Sequence, residues 1–248
     1  MLRSTGRVPD PRSRVFEASR PVRLGDADQR GRLRLDALAR HLQDVATDDS
    51  ADSGMSEEPV FWVVRRAAMT IERWPRYLER ITYSTFCTGA GPRWAERRTS
   101  GRGSAGSRLE TAVLWAALDA ASGRPAHLSE RFHRVWGAGA GARPVSARLL
   151  HPAPPPHAEG RPWAIRSTDL DVLGHVNNAA YWEAVEDELN RRLPDRVPVA
   201  TECEHRLPMD LGYQVRVVSE VDEGSLRLWL VSDGGVHASV MVATEPAG

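Results

Sequence analysis

Apolar and polar positions divide the chain into two halves that open alike. Residues 16–24 read as a strand, followed by the polar turn Gly25-Asp26-Ala27-Asp28-Gln29-Arg30-Gly31-Arg32. A run with Leu38, Leu42, Val45 and Ala46 at helical spacing comes next. The second half repeats this order. Thr168-Asp169-Leu170-Asp171-Val172-Leu173-Gly174-His175-Val176-Asn177-Asn178-Ala179-Ala180-Tyr181 leads into a helix predicted to run to Leu193. Tyr181, Ala184, Val185 and Leu189 line its apolar face, Glu183, Glu186, Asp187 and Glu188 its polar face, and Pro194 stops it. A shift of 143 residues lays Asp26 on Asp169, Asp28 on Asp171, Gly31 on Gly174, Leu38 on Tyr181, Leu42 on Val185 and Asp44 on Asp187. Two related halves are the economical explanation.

Each predicted helix is followed by β-rich runs. In the first half these are residues 61–71, 80–87, 93–99 and 109–118, separated by Pro75, Gly89-Ala90-Gly91-Pro92 and the stretch 101–107. In the second they are 199–207, 213–219, 226–231 and 236–242. Val236, Ala238, Val240 and Val242 alternate with His237, Ser239 and Met241, as in a strand with two unlike faces. Residues 137–141 and 152–156 are rich in Gly, Ala and Pro and are expected to lie outside the core. The predicted organisation is a tail over 1–15, a first unit over 16–136, a linker over 137–160 and a second unit over 161–248. A sheet wrapped around one apolar helix in each half defines an α+β class rather than alternating βαβ units.

Composition narrows the picture. With 248 residues, one large domain or two small ones can bury a core. The 33 basic and 33 acidic residues cancel, so no global attraction to nucleic acid is indicated. Every basic side chain is arginine. Cys87 and Cys203 are the two cysteines, which argues against a disulfide framework and for a reduced, cytoplasmic setting. Residues 1–14 lack the apolar stretch of about 7 to 15 residues that a secretory signal needs. No window approaches the roughly 18 apolar residues of a membrane span.

The candidate chemistry sits where the second polar turn meets its helix. Asp169, Asp171 and His175 lie on the approach, and amides around Gly174, His175 and Val176 fall near the positive end of the helix, where an oxyanion can be held. A metal site built from Asp169, Asp171 and His175 is not expected, because no further ligand cluster is evident. Asp28 and Asp169 are expected to make turn hydrogen bonds.

With the repeat and these motifs in hand, residues 16–243 resemble the acyl-acyl carrier protein thioesterases, a double-hotdog family. The resemblance is carried by Trp62-Val63-Val64-Arg65, Ile71, Trp74-Pro75-Arg76 and Thr85-Phe86-Cys87-Thr88-Gly89-Ala90-Gly91-Pro92-Arg93-Trp94 in the first half. In the second it is carried by Thr168-Asp169-Leu170-Asp171, Gly174-His175-Val176-Asn177-Asn178 and Tyr181. It implies a tandem double hotdog that hydrolyses a fatty acyl thioester on acyl carrier protein, with no metal or organic cofactor. The second half would carry the chemistry and the first, where Arg32 replaces His175, would shape the acyl pocket.

The resemblance assigns Asp171 and His175 as the active-site Asp and His. Plant-type members have Asn where this chain has Leu173, and a Glu-Cys pair near Pro208 and Met209; a papain-like mechanism is therefore not supported from Cys87 or Cys203. Attack by water is preferred, with Asp171 as general base, His175 orienting the water, and amides from Gly174 to Asn177 as the oxyanion hole. Asn177 and Asn178 are expected to fix the thioester or cap the helix. Asn178, Trp62, Tyr181, Arg97 and Arg98 are substrate-contact candidates. Arg93, Arg97, Arg98 and Arg102 form a basic patch expected to dock the acidic carrier. Glu202 and Glu204 are alternative second carboxylates. The rival readings are an acyl-CoA thioesterase of the same fold, a non-catalytic acyl- or carrier-binding module, and a dehydratase. Tandem halves make a monomer feasible beside a homodimer.

Overall fold

The structure, a computed structural model, describes residues 9–141, 143–156 and 158–247; the first eight residues of the expected tail lie outside that range. The first half comprises β1 (Val15–Pro21), α1 (Leu35–Asp52), β2 (Val60–Arg73), β3 (Arg80–Ala90), β4 (Trp94–Gly103) and β5 (Arg108–Asp119). A connecting helix, α2 (Glu130–Ala140), precedes the second half. That half is built from β6 (Arg161–Trp163), α3 (Ala180–Arg192), β7 (Arg196–His205), β8 (Val215–Asp222), β9 (Ser225–Ser232) and β10 (Gly235–Pro246).

All ten strands join in one sheet, ordered β1-β3-β4-β5-β2-β7-β10-β9-β8-β6. The halves meet edge to edge at β2 and β7, antiparallel, with Ala67 opposite Cys203. Each half thereby covers the other's open strand, which otherwise would present unpaired backbone groups. Leu35, Leu38, Leu42 and Val45 of α1 and Tyr181, Trp182, Val185 and Leu189 of α3 are buried in one core with the facing side chains of both sets of strands. This is the double-hotdog arrangement. Truncating a fully buried leucine such as Leu38 to alanine would cost about 2–5 kcal/mol.

The helix-bearing face is covered beyond the end of α1 as well, which sequence periodicity did not anticipate for residues 137–141. They close α2, where Phe132, Trp136, Gly139 and Ala140 are buried. With Met55, Cys87 and Ala95 these side chains, Gly139 aside, make a second apolar cluster. Gly139 is required there because a Cβ would fall 2.1 Å from the Cys87 carbonyl oxygen. On the second half the linker is strapped down by polar bonds: Trp229 Nε1 donates to the Pro152 carbonyl (2.9 Å) and His151 Nδ1 meets Ser239 (3.1 Å to O). Hence Ser239 is buried, and His237 is buried through its own bonds to Ser232 (2.8 Å) and the Pro208 carbonyl (2.8 Å). Arg14, at the end of the expected tail, is tied to α1 through Asp49 (2.8 Å).

The repeat is exact at the level of backbone hydrogen bonds. The Gly31 amide donates to the Asp28 carbonyl (2.9 Å) as Gly174 does to Asp171 (3.0 Å). Asp28 N donates to Arg32 O (2.8 Å) as Asp171 N does to His175 O (2.9 Å). Both glycines have positive φ, +74° and +80°, a conformation strained for any side chain.

Where the copies differ, the first half has become a clamp. Arg32 pairs with Asp28 (Nε to Oδ2, 2.9 Å) and reaches across to Glu186 of α3 (Nη2 to Oε2, 2.6 Å), its guanidinium 4.7 Å from the Trp74 ring centroid. The Leu35 amide at the entry of α1 donates to the same Glu186 carboxylate (2.7 Å). Burial opposes the Arg32 charge, but Glu186 and Asp28 more than offset it and raise its pKa. Glu186→Leu, which strands a buried guanidinium, should lower stability by about 3 kcal/mol in chemical denaturation, and adding Arg32→Met should recover most of that loss.

Candidate active site

In the second half the equivalent turn carries His175 where the first has Arg32. The shorter imidazole turns outward instead of crossing to the neighbouring helix. Its Nδ1 lies 2.5 Å from Asp210 Oδ1, with both side chains partly exposed. This pairing is built into the repeat. The Val176 amide bonds the Met209 carbonyl as Leu33 bonds Pro75, both at 2.9 Å, so Asp210 occupies the position of Arg76, which forms a β-bridge with Arg32. The hydrogen bond from His175 and a second from Tyr213 hold the Asp210 carboxyl below the usual carboxylate range.

Asp210 is the residue that sequence reasoning missed. Arg76 and Asp210 are 134 positions apart, not 143, so the single shift that aligns the turns does not align them. Glu202 and Glu204, considered in its place, lie on the opposite face of β7. Glu204 accepts the His151 amide (3.0 Å) and pairs with Arg206 (3.0 Å), while Glu202 meets His151 Nε2 (3.0 Å). Strand alternation, with Cys203 in the core between them, keeps both away from the turn.

Asp171 Oδ1 accepts the Leu173 amide (2.9 Å), closing the turn. Among the described residues its other oxygen has no hydrogen-bond partner. Asn177 is a helix-entry residue: its Oδ1 accepts the Ala179 amide (2.8 Å) and its carbonyl accepts Ala180 (2.9 Å). Tyr181 is buried; burial pushes its phenol pKa up, with Cys203 and the Asp210 and Asp171 carboxylates adding to the shift. Its ring meets His205 edge-on at 4.7 Å.

The expectation that amides from Gly174 to Asn177 form an oxyanion hole needs correction. Gly174 donates to Asp171, Val176 to Met209 and Asn177 to Asp169, so the turn consumes three of the four. The next amide, that of Asn178, has no acceptor among the described residues. Its counterpart Leu35 is the amide that bonds Glu186 in the first half. The residue equivalent to Glu186 is Gln43, so the place held by a carboxylate in one copy is left without one in the other.

Asn178 and Gln43 also line a mostly apolar cavity between the helices and the first-half sheet, with Leu42, Val64, Met69 and Trp182 among its walls. Its volume of about 20 Å³ is that of a single water site. Gln43 and Asn177 border a larger cleft of about 580 Å³ rimmed by Arg20, Arg23 and Arg40. Asp171 and His175 line neither space. A third cleft of about 1080 Å³ opens on the first-half turn among Arg30, Arg34 and Arg73, where the Arg32–Glu186 pair seals it from the core; its size reflects a polar groove, not the chemical centre.

Three proposed contacts lie elsewhere. Trp62 packs against Phe132 of α2 (5.8 Å) on the helix-bearing face of the sheet and does not line the cavity. Arg97 is half-buried between Asp49 of α1 (2.6 Å) and the Trp136 ring of α2 (5.4 Å), and Arg98 is buried beside Glu96 (3.2 Å). Both arginines make internal ion pairs on opposite faces of β4, whereas Arg93 and Arg102 of the expected patch are exposed. Cys203 does not serve as a nucleophile: burial raises its thiol pKa well above the ordinary value and so disfavours the thiolate.

Two sheet-wrapped helices, a duplicated polar turn and one open helix-entry amide beside a mostly apolar cavity are the arrangement of the hotdog proteins. The family description "Acyl-ACP thioesterase N-terminal domain" matches residues 13–135, and "Acyl-ACP thioesterase C-terminal domain" matches residues 155–242. The chain belongs to the acyl-ACP thioesterase family and is a thioester hydrolase. It is 27% identical over 217 residues to the uncharacterized protein Rv2001 of Mycobacterium tuberculosis, covering 88% of this chain and 87% of that one. In fold it is similar to the 12:0-ACP thioesterase from Umbellularia californica (TM-score 0.78, 18% identity, 94% and 97% of the two chains). An acyl-ACP thioesterase from Bacteroides thetaiotaomicron is alike to the same degree (TM-score 0.78, 18% identity, 93% and 98%). No helix among the described residues is long and apolar enough to cross a membrane.

If Arg97 is an internal strut, Arg97→Ala should lower stability by about 2 kcal/mol in thermal or chemical melts. KM for carrier-linked substrate should then change no more than KM for a small thioester.

Proposed function

We propose that hydrolysis of the acyl-carrier thioester takes place at the entry of α3, with the carbonyl oxygen on the Asn178 amide and the acyl chain in the cavity behind it. The observation that carries this reading is the exchange of Glu186 for Gln43 between the two copies. In the first half a carboxylate oxygen sits on the helix-entry amide at 2.7 Å. In the second the same donor is unoccupied, aligned with the positive end of a thirteen-residue helix. One such donor contributes about 3 kcal/mol to stabilising a tetrahedral oxyanion.

Asp171, with one oxygen fixed by the Leu173 amide and the other free, accepts a proton from the attacking water. The oxygen–carbon bond forms as negative charge builds on the carbonyl oxygen. Collapse of the intermediate breaks the carbon–sulfur bond and expels the thiolate, which takes up the proton. His175, its Nδ1 held by Asp210, keeps its Nε2 turned to orient that water; the pair supplies the oriented imidazole that neither Leu173 nor Met209 can assist. Burial of the chain in the first-half cavity and chemistry on the second-half turn divide the labour between the halves. The arginine-rimmed cleft at Gln43 and Asn177 suits the anionic phosphopantetheine arm and an acidic carrier, in place of Arg97 and Arg98. The enzyme works in the cytoplasm without a cofactor.

Asp171→Asn should keep its melting temperature and lose at least about a hundredfold in kcat on a carrier-linked thioester; a folded variant with full turnover leaves the base without a role. Gln43→Glu restores the first-half arrangement, placing a carboxylate on the Asn178 amide. It should cost about a hundredfold in kcat with little loss of stability, and unchanged kcat would remove Asn178 from the oxyanion site.

A further inference from the structure

The acyl cavity carries more hydrogen-bonding capacity than a plain alkyl chain can use. Trp115 Nε1 and His205 Nδ1 are both buried without a partner among the described residues, and both side chains line the same small cavity. They arrive from different strands, β5 and β7, so the coincidence is not a local accident of one turn. Buried orphan donors are rare because each costs roughly the desolvation of a polar group.

The hydrogen-bond network assigns the imidazole tautomer. His205 Nε2 lies 3.5 Å from the Sγ of Cys203, two residues back on the same face of β7. Burial first, then the Glu204 and Glu202 carboxylates, keep that thiol protonated, so it donates and Nε2 accepts. The ring proton then resides on Nδ1. Burial and the nearby Arg65 lower the His205 pKa to about 3, so the ring stays neutral. Two neutral N–H donors therefore stand on residues of the cavity wall with no acceptor of their own among the described residues. An oxygen atom reaching the cavity would pair with them, while a methylene chain would leave both unsatisfied.

We propose that this cavity selects acyl chains bearing a hydroxyl or oxo group, which Trp115 Nε1–H and His205 Nδ1–H bind directly. The inference deepens the acyl-thioesterase reading and rests on it for the identity of the chain. The thioester itself is bound separately, at the Asn178 amide, so the two donors read the substituent and not the bond that is cleaved. Sites that hydrogen-bond a substrate oxygen discriminate strongly against the analogue lacking it, because the partners are left unpaired.

The test compares plain, hydroxylated and oxo fatty acids of matched length, with the substituent moved along the chain, in direct binding followed by tryptophan fluorescence. The same acyl groups on carrier protein are then compared by kcat/KM. At one substituent position the oxygenated acid should bind at least about tenfold tighter than the plain acid. His205→Phe and Trp115→Phe, each verified by melting, should each bring that ratio toward one; Trp115→Phe serves alone if the histidine variant fails to fold. Equal binding of plain and oxygenated acids by the wild type at every position would mean that a resident water satisfies the donors, and would overturn the proposal. A ratio unchanged in a folded variant would overturn it too. If oxygenated acids bind preferentially while no acyl thioester is turned over, the selectivity stands and the hydrolytic reading falls.

Discussion

The structure depends on what becomes of one backbone N–H at the entry of each central helix. A helix leaves its first amides without internal acceptors, and inside a protein each must find a partner or face a ligand. In the first half the Leu35 amide takes the Glu186 carboxylate, which also holds Arg32, so the donor is spent on joining the two helices. In the second half the corresponding carboxylate is absent. One copy is a strut between the two helices, and the other leaves the equivalent donor without a carboxylate.

That division explains features that look unrelated. The arginine in place of histidine at position 32 is long enough to cross between helices and to lie over Trp74. The histidine at 175 is too short to do so and meets Asp210 on its own side of the turn. The amides of Gly174, Val176 and Asn177 cannot serve an oxyanion because they close the turn and bind it to the strand-entry segment at Met209. Rigidity of the turn and exposure of one donor follow from the same set of bonds.

Both faces of the sheet are covered, and this decides which polar residues are free to act. The inner face carries Cys203 and His205 toward the helices, while the outer face carries Glu202 and Glu204 toward the linker. Helix α2 packs on Trp62 and Arg97 on the inner face, while Arg98 is buried with Glu96 on the outer one. Arg93 and Arg102 are exposed, and Arg20, Arg23 and Arg40 rim the cleft next to Gln43.

The repeat, both central helices, the eight long strands that follow them and the polar turn through Asp171 and His175 were legible in the sequence. These rest on local periodicity and on a fixed spacing within one turn, which survive any packing. Asp210 was not legible, because its link to His175 passes through a strand connection of different length in the two halves. The covering of Arg97 was hidden for another reason: residues 137–141 lack an apolar period of their own and are held against the sheet by Phe132 and Trp136 before them. The loss of three amides as oxyanion donors, and the survival of Asn178, depended on which carbonyls the fold brings opposite. Sequence fixes the order and faces of the elements through local forces, whereas the pairing of donors with acceptors across elements exists only once the chain has closed.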